Sequence, residues 1–158
     1  MRGVLTRQDR ALSQAEAVKI IQSADYGVLA TVDAIGRPCT AALNHVLIND
    51  NKIVFHGSLQ GEKIENIKLN PHVSFFVVGE AEVIPKEFST TYTSAVAHGK
   101  AALVEDTAKK RRYLDAFVAR FVSDSVSKDS RISYIEQGFP SVAVIEMTVE
   151  HLTGKARV

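Results

Sequence analysis

The chain has 158 residues, 46% hydrophobic and 23% charged, with 19 Lys and Arg against 18 Asp and Glu. That length suits one domain, expected to span residues 1–158 and large enough to bury a core. The aliphatic content excludes a disordered chain, while the near-neutral balance and the absence of Trp argue against nucleic acid as a partner.

The first residues, MRGVLTRQDRALS, lack the apolar run of a signal peptide. No stretch approaches the roughly 20 apolar residues of a membrane helix. The expectation is a cytoplasmic protein with no membrane partner. Ser13 and Glu16 form a capping-box pattern, and Ala17, Ile20, Ile21 and Ala24 follow at helical spacing. Residues 26–32 read as a buried strand, 33–38 as a turn, 39–48 as a second strand, 49–51 as a turn and 52–56 as a third strand. These strands are short and tightly connected, which predicts antiparallel pairing.

Residues 57–71 read as a loop leading into a short helix, with Ile64 and Ile67 on its inner face and Pro71 ending it. Residues 72–78 form a fourth strand. Pro85 and the polar run Ser89, Thr90 and Thr91 predict a loop over 79–91. Residues 92–105 hold a further strand or strand pair, bent at Gly99. Asp106 or Thr107 caps a helix reaching about residue 122, and Lys109–Arg112 reads as its solvated face. A short helix over 131–137 and a last strand over 142–149 follow, the latter placing Glu146 and Thr148 on one face. The tail HLTGKARV reads as short and polar. The pattern predicts a small antiparallel barrel with helices packed outside.

The segment FHGSLQGEKIENI carries the most chemistry. A strand delivers the chain to a Gly-Ser turn and then to a helix start near Gly61. Helix N-termini present unpaired N–H groups and partial positive charge, which suits a phosphate. Ser58 adds a hydroxyl, and Gly57 and Gly61 permit close backbone approach. Lys63 stands where the helix dipole disfavours a cation, a placement that makes sense beside an anion. The plainer reading is that Ser58 caps the helix and Lys63 is solvated.

His45, His56, His72, His98 and His151 show no metal-ligand spacing, so no metal site is expected. Cys39 reads as a small, partly buried thiol. There is no serine-hydrolase elbow, and Glu80 and Glu82 read as solvent-facing. No catalytic residue is assigned. Asn44 and His45 interrupt an apolar strand, so one points inward and needs a partner while the other points out, where a ligand along the strand would lie. The run from Ser89 to Ser94 is read as a loop or as a rim for a flat polar ring.

Taken together, residues 24–80, 88–106 and 142–157 resemble the FMN-binding split-barrel superfamily, the pyridoxamine 5′-phosphate oxidase-like proteins, and within it the branch related to nitroimidazole-resistance proteins. The resemblance implies a mainly β fold, a six-stranded antiparallel split barrel with flanking helices. It also implies a homodimer with FMN at the subunit interface. Residues 56–63, including His56, Gly57, Ser58, Leu59, Gly61 and Lys63, would hold the flavin phosphate and ribityl chain. Leu43, Asn44, His45 and Val46 would lie against the ring, and Thr93 and Ser94 would reach its edge. Leu59, Gln60 and Gly61 replace the basic phosphate segment of the true oxidase, and the C-terminus lacks its arginine and histidine arrangement. The implied function is therefore an FMN-dependent oxidoreductase acting on a small molecule such as a nitro-aromatic, with a separate electron donor, rather than pyridoxamine phosphate oxidation. The alternatives are a non-catalytic flavin-binding or sensing module, a split barrel using haem or deazaflavin, and a barrel that acts only through dimer contacts.

Overall fold

The computed structural model describes residues 5–158; the first four residues of the stretch read for a leader lie outside them. The elements in order are β1 (Ala11–Leu12), α1 (Gln14–Ser23), β2 (Tyr26–Val32), β3 (Pro38–Ile48), β4 (Lys52–Ser58), α2 (Glu62–Leu69), β5 (His72–Ile84), β6 (Ser89–Leu103), α3 (Thr107–Phe121), α4 (Lys128–Gly138) and β7 (Val142–Arg157). Neighbouring strands run β7-β4-β3-β2-β5-β6, and β6 pairs back onto β7, so six antiparallel strands close into a ring. The two-residue β1 adds a seventh strand, pairing at Ala11↔Lys155 and Leu12↔Gly154.

Alternation along the strands builds the interior. Leu29, Ile53, Phe55, Phe75, Ile145 and Met147 are fully buried. Each such side chain contributes about 1.5–3 kcal/mol by leaving water. Helix α1 starts with the capping box that the sequence announces: Ser13 accepts from the Glu16 amide, and Glu16 reaches back to the Ser13 amide at 2.8 Å. It buries Ala17, Ile20 and Ile21 in this core. The approach of α1 to β7 depends on Gly154, where a Cβ would stand 2.8 Å from that of Ala17. Helix α2 adds Ile64 and Ile67.

A second cluster lies outside the ring. Val46, Val54 and Val144 meet Tyr113, Leu114 and Phe117 of α3 and Ile135 of α4. Glu146 on β7 locks this layer in place. It bonds Lys52 of β4 at 2.8 Å, Lys109 of α3 at 2.7 Å, and the hydroxyl of Tyr113.

Four local expectations are corrected. The stretch read as a loop over 79–91 is the far end of a hairpin, because β5 and β6 stay paired out to Ile84↔Ser89 across a bulge between Val78 and Ala81. The tail is strand, not a polar end: β7 runs to Arg157, with small residues facing inward beside α1. The basic run at the start of α3 is anchored, since Lys109 bonds Glu146 and Lys110 donates to the Phe139 carbonyl at 2.8 Å. Helix α4 begins earlier than expected because Ser127 caps it, accepting from the Ser130 amide. No helix among the described residues is long and apolar enough to cross a membrane.

Candidate functional site

Strand β4 ends at Gly57 and Ser58, and Gly61 opens α2 with φ 131°, a backbone that side chains other than glycine rarely adopt. No side chain caps this helix end, so its first N–H groups face outward unclaimed by a cap. The Lys63 side chain lies back across Gly57. A Cβ at position 57 would stand 3.3 Å from Lys63 Cε and 3.5 Å from Nζ. The missing side chain is what makes room for the ammonium there. Beside it is a cleft of about 150 Å3 lined by Thr31, Cys39, Thr40, Ala41, Glu62 and Lys63.

The cleft is held from behind by Asn66, buried on α2, whose amide donates to Thr31 Oγ1 at 3.0 Å. The Cys39 thiol donates to Glu62 Oε1 at 3.3 Å. Burial, and then this bond to a carboxylate, push the thiol pKa up, so the sulfur stays protonated and is a poor nucleophile. Ser58 turns its hydroxyl to its own loop, accepting from the Gln60 amide at 3.3 Å.

Of residues 43–46, only Asn44 is exposed. Its amide donates to the Asp25 carbonyl at 2.9 Å. His45 is the inward member of the pair, fully buried and edge-on to Phe75, with Nε2 2.7 Å from the Ile21 carbonyl. Its imidazole therefore faces the core, and a ligand on the outer face of β3 would meet Asn44 instead. Leu43 packs against the main core and Val46 beneath α3. Burial lowers the His45 pKa, the Ile21 bond opposes that shift, and nearby Arg120 reinforces it.

His56 and Asn44 share a second, larger cavity of about 300 Å3 between the sheet and helices α3 and α4. Leu114, Phe117, Val118, Ile135 and Val142 line it, with Phe121 and Tyr134 among its exposed residues. The His56 ring stands edge-on to Phe117 at 4.5 Å, and burial lowers its pKa. Thr93 and Ser94 lie elsewhere. Thr93 Oγ1 accepts from the Glu80 amide at 3.0 Å, closing the bulge in β5, and Ser94 pairs with Val78 and Lys155. Near them is an uncovered apolar face: Tyr26, Phe76 and Val78 are 64%, 41% and 45% exposed beside a groove of about 430 Å3.

Within one chain, the fold thus brings Gly57, Gly61 and Lys63 together, groups Asn44 with His56, and leaves Thr93 and Ser94 apart from both. Sequence reasoning missed Thr31 and Glu62 in the cleft and the α4 wall of the cavity. The Thr31 signal was present, a polar residue in an apolar strand, whereas α4 is too weakly amphipathic to announce a buried face. Among the described residues, no group of three or more His, Cys, Asp or Glu side chains is arranged to hold a metal ion.

A closed antiparallel ring with helices packed on its outside is the architecture of the flavin-binding split barrels. The family described as pyridoxamine 5′-phosphate oxidase matches residues 13–156, and the chain belongs to that family. Its fold is similar to that of a putative 5-nitroimidazole antibiotic resistance protein from Bacteroides thetaiotaomicron (TM-score 0.75, 23% identity, 92% of this chain and 86% of that one). It is also similar to a conserved hypothetical protein from Mycobacterium tuberculosis (TM-score 0.81, 20% identity, 97% and 90%). A third likeness is to an FAD-binding protein from Mesorhizobium loti (TM-score 0.68, 20% identity, 93% and 95%). No curated protein matches the chain.

Proposed function

We propose that the protein is a flavin-dependent oxidoreductase that binds FMN and reduces a small molecule such as a nitro-aromatic compound, using a separate electron donor. The observation that carries this reading is the Lys63 ammonium folded over Gly57 beside the uncapped start of α2. A phosphate monoester fits that donor set, since a full cation and free N–H groups converge on it. Lys63 and the first turn of α2 would hold the phosphate, and Asn44 would meet the flavin along β3. When bound, FMN supplies the electron-transfer chemistry. The chain then has to bind, orient and exclude water, and it needs no strong acid or base, in keeping with a protonated Cys39.

A second copy of the chain covers the face bearing Tyr26, Phe76 and Val78 in this reading, which would bring the partner subunit's β5–β6 hairpin to the flavin. Exposed apolar side chains clustered on one sheet face support it. The names of similar structures, an FAD-binding protein and a nitroimidazole resistance protein, favour the flavin class.

The test is the visible absorption spectrum of freshly purified protein, repeated after adding FMN and desalting. Flavin bands should stay with the protein. Lys63→Ala should weaken retention by about 10- to 100-fold, the loss of one charge-assisted bond of about 1.5–3 kcal/mol. A colourless protein that retains no FMN would refute the reading, and a Soret band on haem addition or selective retention of a deazaflavin would put that cofactor in its place. Reduced, FMN-loaded protein that no nitro compound reoxidises would remove the nitro-aromatic substrate.

A further inference from the structure

The end of α1 is fastened by side chains of other elements. A helix C-terminus leaves carbonyls unpaired and carries partial negative charge that favours a nearby cation. The last turn of α1 holds no basic residue. Arg120, in the last turn of α3, supplies the cation instead. Its guanidinium donates to the carbonyls of Gln22 and Ala24, the latter at 2.6 Å. From β3, His45 donates Nε2–H to the Ile21 carbonyl at 2.7 Å, and Asn44 takes the Asp25 carbonyl. The exit from α1 into β2 thus hangs on β3 and α3.

One of these ties is titratable. A carbonyl only accepts, so the neutral His45 ring carries its proton on Nε2 and leaves Nδ1 bare. Nδ1 is buried and has no hydrogen-bond partner among the described residues. A second proton there would put an N–H and a full charge into the core with nothing to receive them. Asp25, from the α1–β2 joint, and Arg120, from α3, are the charged groups that face the ring. β4 and β5 present Phe55 and Phe75. Burial and Arg120 oppose a charge on His45, and Asp25 only partly offsets them. Protonated His45 and Arg120 would be two cations at one helix end. Arg120 is the one able to leave, because its bond to Gln22 is exposed while His45 is fully buried.

We propose that His45 and Arg120 form an acid-released latch between α1 and α3. Protonation of His45 expels Arg120 from the Gln22 and Ala24 carbonyls, and the ends of both helices open while the ring of strands stays folded. The imidazolium then meets water and is no longer repelled. Acid therefore pulls toward the open form, and neutral pH holds the latch shut. The freed residues reach the surface on two sides: Phe121 lies against the Arg120 guanidinium, and Ala24 and Asp25 border the groove beside Tyr26. Latch opening requires no bound flavin.

Hydrogen exchange of the full-length protein, followed by NMR and corrected for intrinsic rates, tests it. The reporters are the amides of Ala24 and Val122, which make the closing bonds of α1 and α3 to the carbonyls of Ile20 and Val118. Their protection should fall by about tenfold between pH 7 and pH 5, one linked imidazole allowing at most about 25-fold. His45→Gln, which keeps a donor for Ile21 but cannot titrate, should abolish that pH dependence. Arg120→Met should leave both amides weakly protected at either pH and raise the His45 midpoint, read from its ring signals. That midpoint decides the matter even where His45→Gln fails to fold. An unmoved His45 midpoint in Arg120→Met, or pH-independent protection in the unaltered protein, would overturn the proposal. So would protection equal to the global unfolding constant from urea denaturation, since the two helix ends would then open only with the whole fold.

Discussion

Glu146 offers the sharpest energetic test, because one carboxylate on β7 ties three residues on two other elements. Its side chain is only 12% exposed. Burial alone would push its pKa up, but bonds from Lys109, Lys52 and Tyr113 outweigh burial and hold it at about 2. Burial, and then the bond to this carboxylate, push the Tyr113 phenol up to about 12. A carboxyl depressed in the folded state stabilises above its unfolded pKa and loses that contribution as pH falls through the folded value. From an ordinary 4.5 down to about 2, at about 1.4 kcal/mol per unit, the contribution at neutral pH is about 3 kcal/mol. At pH 3, about 2 kcal/mol of this has gone, since the unfolded chain is largely protonated there and the folded chain is not. Glu146→Gln should therefore destabilise the protein by about 3 kcal/mol at pH 7 but by only about 1 kcal/mol at pH 3. Urea denaturation of both proteins at the two pH values measures it, and the difference between them cancels the other titrating groups. A gap that is small at pH 7, or one that does not shrink on acidification, would refute the argument that this network fastens α3 over the cavity.

Other perturbations test other parts of the fold. His45 is neutral and buried with a lowered pKa, so stability should fall as pH drops below about 6.5, where the unfolded imidazole takes up a proton before the folded one does. His45→Leu should lessen the fall in melting temperature between pH 7 and pH 5, His56 supplying the rest, while costing about 1–3 kcal/mol for the unsatisfied Ile21 carbonyl; an unchanged pH profile would count against it. Gly99→Ala would set a Cβ 2.0 Å from the Thr148 carbonyl oxygen, where backbone must move, so loss of about 3 kcal/mol or failure to fold is expected by circular dichroism. Gly57→Ala meets only the flexible end of Lys63, so its melting temperature should hardly change while FMN retention weakens; retained affinity would show that the lysine's position over Gly57 is not used.

How far the sequence announces this structure follows from the range of the interactions involved. The α1 capping box, the Asp33 turn and the strand-to-helix passage at Gly61 are local, and each is visible in a few neighbouring residues. The end of β7 was hidden because its inward residues, Gly154 and Ala156, are too small to read as a hydrophobic face, although that smallness is what lets α1 approach. The hairpin beyond Val78 was hidden because a bulge shifts its register and polar residues fill its exposed sides.

The candidate site divides along the same line. Gly57, Gly61 and Lys63 lie within one short segment, so their meeting at the start of α2 was legible before any fold was known. The orientation of His45 was not, because the carbonyl that satisfies it belongs to Ile21, 24 residues earlier. The aromatic cavity was the least legible of all, since it exists only where β3, β4, α3, α4 and β7 meet. Its walls were in plain sight as the apolar stripe of α3, where Phe117 and Phe121 recur four apart, a spacing that serves equally for core packing and for lining a pocket. What separates the two uses is exposure: Phe117 is buried while Phe121 stays 38% exposed, so the stripe begins as core and ends as the rim of an opening. A helix that continues its apolar face past the core it covers leaves an opening beside the sheet, and that opening becomes visible only when the sheet beneath it is in place.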